Sequence, residues 1–99
     1  IEAGKYQQSI QILNRYTYDH PDDTNGWALL AKSYAKLGNR AAELASFGEL
    51  LALRAQWDKA INNYMQAAQM AKLGSMEQAR YDARIDQLRF QRQEFKALQ

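Results

Sequence analysis

The feature that most limits how this chain can fold is the spacing of its apolar and small residues. The segment WALLAKSYAKLG, residues 27–38, places four of them at intervals of three, one and three: Trp27, Leu30, Ala31 and Tyr34. The segment QWDKAINNYMQAA, residues 56–68, has three more at intervals of four and three: Ala60, Tyr64 and Ala67. An α-helix of 3.6 residues per turn brings such residues to one side. Both segments are therefore predicted to be amphipathic helices.

The remainder of the chain is also typical of an all-α protein. Ala, Leu, Gln, Lys, Arg and Glu dominate, with one Pro, and these are strong helix formers. We predict one helical domain over residues 1–99, with five helices at about 6–18, 24–37, 40–54, 57–72 and 76–97. The connections are two to six residues long, so consecutive helices should lie antiparallel.

Local signals set the predicted helix ends. Pro21 cannot continue the first helix, and Gly38 follows the second. The N-terminus of the second helix has three candidate caps: Asp22, Asp23 and Thr24. Asn39 should begin the third helix. Ser75 should begin the fifth, with Gln78 placed for a capping box.

Composition excludes several classes of protein. Thirteen basic and eleven acidic residues give a net charge of +2, too balanced for a nucleic-acid-binding surface. The absence of Cys excludes disulfides and thiolate zinc sites. No apolar run approaches the roughly 18 residues of a membrane span, and no signal peptide is visible. The chain begins without Met, so we expect a fragment of a longer protein.

The spacing resembles the tetratricopeptide repeat, whose pattern is W-x2-L-G-x2-Y followed by A-x3-F and Pro. Residues 27–34 match its first helix with Ala in place of Gly, and residues 60–67 match a second helix. Ser9, Leu13 and Pro21 match the end of a preceding repeat. We therefore predict a tetratricopeptide-like antiparallel helical stack that begins part-way through a repeat. Its core should largely bury Trp27, Tyr34 and Tyr64.

The helix at 40–54 fits the repeat in two ways. As a second helix it has Phe47 at the aromatic position but Glu43 where Ala is expected. As a first helix it offers Leu44, Phe47, Gly48 and Leu51. The sequence leaves both registers open.

A narrower resemblance covers essentially the whole chain. It rests on QILNRYT, DDTNGWALLA, LGNRAAELA, QWDKAI and above all KLGSMEQARYDARIDQLR. These segments look like the C-terminal end of the periplasmic zinc metalloproteases of the barrel-assembly-enhancing group. The resemblance implies a periplasmic parent protein with a zinc-binding peptidase domain outside this chain. It also implies that these repeats contact the protease domain, substrate polypeptides and outer-membrane assembly proteins.

No catalytic or metal-binding residue is carried over to this chain. A zinc protease needs two His one helical turn apart, a third ligand and a general base, whereas His20 is the only His here. The acids around it, Asp19, Asp22 and Asp23, lack the ligand spacing of a calcium loop. Helix capping and solvation are their expected roles. We predict no cofactor in this chain.

The fifth helix should present a solvated, salt-bridged face. Acids are interleaved with its basic residues, and several oppositely charged residues are three or four positions apart. The basic residues are Arg80, Arg84, Arg89, Arg92 and Lys96. Its buried stripe should contain Tyr81, Ile85, Leu88 and Phe95, with Phe90 and Met76 outside it.

The candidate partner-binding surface consists of Asn25, Lys32 and Lys36 on the second helix. The two lysines are four residues apart and lie away from Trp27, so they can meet an acidic segment or remain solvated. A clamp for a peptide terminus needs more basic and Asn residues, and Ala28 occupies one such position.

The functional hypothesis is a non-catalytic protein-interaction module that serves a protease. The alternatives are a regulator that covers the peptidase cleft and a freestanding adaptor without an attached enzyme. We also expect IEAGK to be the tail of a preceding helix, which would leave Tyr6, Ile10 and Leu13 uncovered. Self-association through helix 6–18 would then cover them.

Overall fold

The computed structural model describes the backbone of residues 2–99 and the side chains of residues 4–99. It consists of five helices: α1 (Glu2–Asp19), α2 (Thr24–Lys36), α3 (Arg40–Leu53), α4 (Trp57–Met70) and α5 (Met76–Ala97). Residues 2–99 contain no strand. The all-α prediction is therefore confirmed.

The first helix begins earlier than predicted. It runs without a break from Glu2, whereas the sequence placed its start near Tyr6 and assigned IEAGK to a separate helix. That assignment is wrong for the described residues. Gly4 did not end the helix, because a glycine in a helix interior costs only about 1 kcal/mol relative to Ala. The other predicted ends lie within two residues of the observed ones.

Side-chain caps begin three of the helices. Asp23 accepts a hydrogen bond from the backbone N–H of Asn25 at 2.9 Å and caps α2. The Asn39 side chain caps α3, and Ser75 caps α5. The reciprocal bond expected of Gln78 reaches one residue further back than a capping box, to the N–H of Gly74.

The helices stack in chain order into a flat body of 49 × 30 × 18 Å. Each extensive interface joins helices that are neighbours in sequence. This arrangement is typical of a solenoid, in which each unit contacts only its neighbours. The largest cluster of buried apolar side chains is drawn from α3, α4 and α5, with Leu88 and Ala60 at its centre.

Gly48 lies at a close contact between α3 and α4. A Cβ atom on Gly48 would lie 3.0 Å from the Tyr64 ring and 3.4 Å from the carbonyl oxygen of Ala60. A glycine at this position therefore lets the two helices approach each other closely.

The three aromatic residues predicted to be largely buried differ in how completely they are covered. Tyr64 is buried, with 6% exposure. Trp27 and Tyr34 are covered over most of their surface but are not fully buried. They face small α3 side chains across an open recess, which is lined by Ala42 and Ala45. The sequence of α3 does not supply the bulk that would cover these rings.

No helix within residues 2–99 is both long and apolar enough to span a membrane.

Candidate functional site

A groove lies between α1 and α2, and we call it the α1–α2 groove. Its volume is about 610 Å³. Its apolar lining consists of Tyr6, Ile12, Leu13 and Leu29. Its polar lining consists of Ser9, Lys32, Ser33 and Lys36. A groove of mainly apolar side chains with a few polar groups is the usual composition of a ligand site.

The close packing of α1 against α2 occurs near the turn that connects them. A Cβ atom on Gly26 would lie 2.9 Å from the Tyr16 ring and 3.2 Å from the Thr17 methyl group. Thr17 is buried there, and its hydroxyl donates to the Leu13 carbonyl at 2.9 Å. The groove residues lie further along both helices, away from this contact.

Two of the three predicted partner-binding residues lie in the groove. Lys32 and Lys36 are exposed and follow Leu29 along one face of α2. Neither lysine forms an ion pair among the side chains that the structure describes. Asn25 is exposed one turn before Leu29 and does not line the groove. The arrangement can hold an apolar side chain and pair an adjacent carboxylate.

The apolar stripe of α1 is covered more than expected. Ile10 is buried, while Tyr6 and Leu13 are half-buried, because α2 packs along α1. The exposed apolar side chains are instead Ile12, at 69% exposure, and Leu29, at 54%. The sequence analysis assigned neither residue to a site. Both lie outside the stripes of α1 and α2 that face the core, and this position could have indicated that they are exposed.

Two of the three acids around His20, Asp19 and Asp23, have partners within the chain. The His20 ring packs on Tyr16 with 4.7 Å between ring centroids. Asp19 pairs with Arg15 at 3.2 Å. Asp23 accepts the Tyr16 hydroxyl in addition to capping α2, and this hydrogen bond holds the pKa of Asp23 below its usual value. Within the described part of the chain, no group of three His, Asp or Glu residues could hold a metal ion.

A partly buried ion pair joins α5 to α3. The Arg84 guanidinium donates from Nε to one Glu49 oxygen at 2.7 Å and from Nη2 to the other at 2.8 Å. The hydroxyl of Tyr64 donates to the same carboxylate. Burial, then the charge of Glu49 and the hydrogen bond to it, raise the pKa of Tyr64 far above its usual value. The predicted salt bridges within α5 are therefore wrong for Arg84.

Near the end of α5, side chains also pair with another helix and not within α5. Arg92 pairs with Asp58 of α4 at 2.7 Å, and Phe95 packs against Trp57 of α4 with 5.8 Å between ring centroids. The ion pair within α5 is a long one, at 3.9 Å, between Arg89 and Asp86. Pairing across helices was not visible in the sequence, because the partner residues lie more than thirty positions apart.

The fold thus defines an all-α helical stack with an open, basic-edged groove. The whole chain is similar to part of known β-barrel assembly-enhancing proteases. It is 50% identical over 96 residues to the protein of that name from Escherichia coli K12, and 50% identical over 99 residues to the one from Yersinia pestis. A Vibrio cholerae protein, provisionally given the same name, is 54% identical over 99 residues.

These matches cover 97–100% of this chain but only 20% of each relative. The chain therefore spans about a fifth of the length of the curated relatives it matches. No protein-family model matches the chain. The resemblance to the barrel-assembly-enhancing group is confirmed at the level of sequence.

Proposed function

We propose that this chain is a non-catalytic interaction module of a periplasmic zinc metalloprotease. It binds extended segments of unfolded or partly assembled polypeptide in the α1–α2 groove. The observation that carries the proposal is the combination of two exposed apolar side chains, Ile12 and Leu29, with two cations, Lys32 and Lys36, that form no ion pair with the side chains of residues 4–99. The similarity to proteases named for β-barrel assembly supports the context.

Binding in this groove would be driven by burial of apolar surface, at about 25 cal/mol per Å². The groove is formed by two packed helices, so little ordering of the receptor opposes binding. Lys32 and Lys36 would favour segments that carry acids beside their apolar residues. Charges at such an edge contribute mainly to the association rate and to selectivity.

The proposal is tested with an acidic unfolded polypeptide, reduced and carboxymethylated lactalbumin, labelled for fluorescence anisotropy. Lys36→Glu should weaken binding by about two- to tenfold, the range expected for an exposed charge contact that becomes repulsive. Lys72→Glu changes the net charge equally but lies in the turn before α5, outside the groove. Equal affinities of the two variants would contradict a role for the groove.

Catalysis provides an independent test. The chain alone should neither hydrolyse casein nor retain zinc after dialysis, because one His cannot supply a protease zinc site. Both measurements are direct: protease activity on labelled casein, and zinc content by mass spectrometry. Stoichiometric zinc with activity that follows it would overturn the assignment of a non-catalytic role.

The groove has rival occupants, and each predicts a different result. A second copy of the chain would make light scattering report a dimer, which Ile12→Ser should dissociate. The parent protein's own protease domain would bind the isolated chain in trans. A freestanding adaptor would be encoded without an upstream HExxH motif, so the parental reading frame separates that alternative from the proposal.

A further inference from the structure

A second recess lies between α2, α3 and α5, and none of its residues lines the α1–α2 groove. We call it the aromatic cleft. It encloses about 520 Å³, which is within the roughly 300–1,000 Å³ of ligand pockets. Its floor consists of small α3 side chains: Ala42, Ala45 and Ser46. Four aromatic rings line the cleft: Trp27 and Tyr34 from α2, Tyr64 from α4 and Tyr81 from α5.

Some polar groups of the cleft are already bonded within the protein. The indole N–H of Trp27 donates to the Pro21 carbonyl at 2.8 Å. The Ser46 hydroxyl donates to the Ala42 carbonyl at 2.9 Å. Neither residue therefore has a free proton to offer a ligand. Trp27 contributes an apolar surface to the cleft.

Arg84 also lines the cleft, but its charge is neutralised. Its Nε and Nη2 atoms donate to Glu49, and its Nη1 atom donates to Gln87 at 3.0 Å. A charged pair that shares two parallel hydrogen bonds is held in a fixed geometry. Arg84 therefore fixes the wall of the cleft without adding an unpaired charge.

Apart from the Asn14 amide oxygen, the polar groups of the cleft that remain available are donors. Arg80 has no ion-pair partner among the side chains that the structure describes. The Tyr34 hydroxyl accepts a hydrogen bond from Asn14 at 3.3 Å and so retains its own proton. Burial, and then the nearby Tyr34, raise the pKa of Tyr81, so its hydroxyl stays protonated near neutral pH. One cation and two hydroxyl donors on aromatic walls suit a single carboxylate beside an apolar group.

We propose that the aromatic cleft binds an Asp or Glu side chain of an extended polypeptide together with the large apolar residue next to it. The carboxylate accepts from Arg80, Tyr34 and Tyr81, and the apolar residue packs on Trp27. A chain terminus is a poorer occupant, because a side-chain clamp for a terminus needs several basic residues and Arg80 is the one unpaired cation that lines this cleft among the described residues. Capture of a terminus by free backbone N–H groups is not available either. The backbone N–H groups beside this cleft lie within helices, where carbonyls of the same helix accept them.

The test uses a labelled hexapeptide, Gly-Ser-Glu-Phe-Ser-Gly with an amidated C-terminus, and the whole 99-residue chain. Fluorescence anisotropy should show binding that Arg80→Gln weakens by at least about tenfold, as expected for loss of a charged hydrogen bond. Arg89→Gln is the matched control on the same helix, outside the cleft, and should change the affinity less than about twofold. Replacing Glu by Gln in the peptide should weaken binding as much as Arg80→Gln does.

Several results would overturn the proposal. These are equal affinity for the Glu and Gln peptides, tighter binding of a Gln peptide with a free C-terminal carboxylate, or no binding at about 1 mM. The inference adds a second site to the proposed interaction module, and Lys36→Glu separates the two. This variant should leave hexapeptide binding unchanged while it weakens lactalbumin binding. If Lys36→Glu abolishes hexapeptide binding and Arg80→Gln does not, the hexapeptide occupies the α1–α2 groove and the cleft proposal is wrong.

Discussion

Helices α3–α5 share a continuous buried core, whereas α1 and α2 bury fewer side chains. The central cluster of the core draws all its members from α3, α4 and α5. The partly buried Arg84–Glu49 pair also joins two of these helices. The α1–α2 pair has one ion pair, Arg15–Asp19, which lies within a single helix among the described residues.

This difference indicates that α3–α5 contribute most of the stability of the stack, whereas α1 and α2 provide uncovered surface for binding. Binding surfaces are drawn from the less stable parts of proteins, since a surface must stay uncovered to receive a partner. The α1–α2 groove lies in the half with the smaller core, and the aromatic cleft lies where the two halves meet. We therefore expect substitutions in α3–α5 to lower the free energy of unfolding more than matched substitutions in α1–α2.

The largest expected effect comes from Leu88, which is completely buried among α3–α5. Leu88→Ala should lower the free energy of unfolding by about 3–4 kcal/mol, because it removes buried methyl groups and leaves a cavity. Leu29→Ala removes the same atoms from the groove edge and should cost less than about 1 kcal/mol. Urea denaturation measures both, and equal losses would contradict the division between the halves.

The next effect compares the partly buried Arg84–Glu49 ion pair with a more exposed one. Glu49→Ala leaves Arg84 without its partner and should cost about 2–3 kcal/mol. Asp58→Ala breaks the Arg92 pair, which has the same 2.7 Å separation but an Asp58 side chain that is 80% exposed. That loss should stay below about 1 kcal/mol. A cost for Asp58→Ala as large as that for Glu49→Ala would show that burial does not set the contribution of these pairs.

Two glycines provide a third comparison at close helix contacts. Gly48→Ala should cost about 1–2 kcal/mol, because the new methyl group meets the buried ring of Tyr64, which Glu49 holds in place. Gly26→Ala meets the ring of Tyr16, whose hydroxyl donates to Asp23, but that ring is 38% exposed and can shift toward solvent. Ala has the better helix propensity at both positions, so the difference in cost comes from how freely the two rings can shift. Thermal denaturation should therefore show the larger drop for Gly48→Ala.

The smallest effect is a pH dependence. Because the folded-state pKa of Tyr64 is raised by burial and by Glu49, Tyr64 contributes stability below its unfolded pKa of 10.0, and this is lost as the pH rises above that value. The loss is about 1.4 kcal/mol per pH unit. Urea denaturation at pH 8 and pH 11 should show a larger decline for the natural chain than for Tyr64→Phe. An identical decline would mean that Tyr64 ionises without unfolding.

Local sequence signals were sufficient for the helices. Pro21, Gly38 and the caps Asn39 and Ser75 act on the residues next to them, so their positions were predicted closely. The start of α1 was predicted too late, because the repeat pattern indicated a helix boundary after IEAGK. No strong helix breaker lies near Gly4, so the helix continues through it.

Properties that depend on distant residues could not be predicted in the same way. The half-burial of Trp27 depends on small side chains of α3, and the partner of Arg84 lies 35 residues away. Lys32 and Lys36 were identified as a surface because they are close in sequence, while Arg80 and Tyr34 meet in the cleft only through the stacking of the helices. The sequence could therefore indicate the groove but not the cleft.

Hydrogen exchange tests most directly the claim that the more open half of the stack binds polypeptide. The amides of α2 and α4 are compared, because both helices are flanked by neighbours on either side. In the free chain α2 should exchange faster than α4, and adding carboxymethylated lactalbumin should slow exchange in α2 while α4 stays unchanged. Equal exchange in the free chain, or protection confined to α4, would contradict this account.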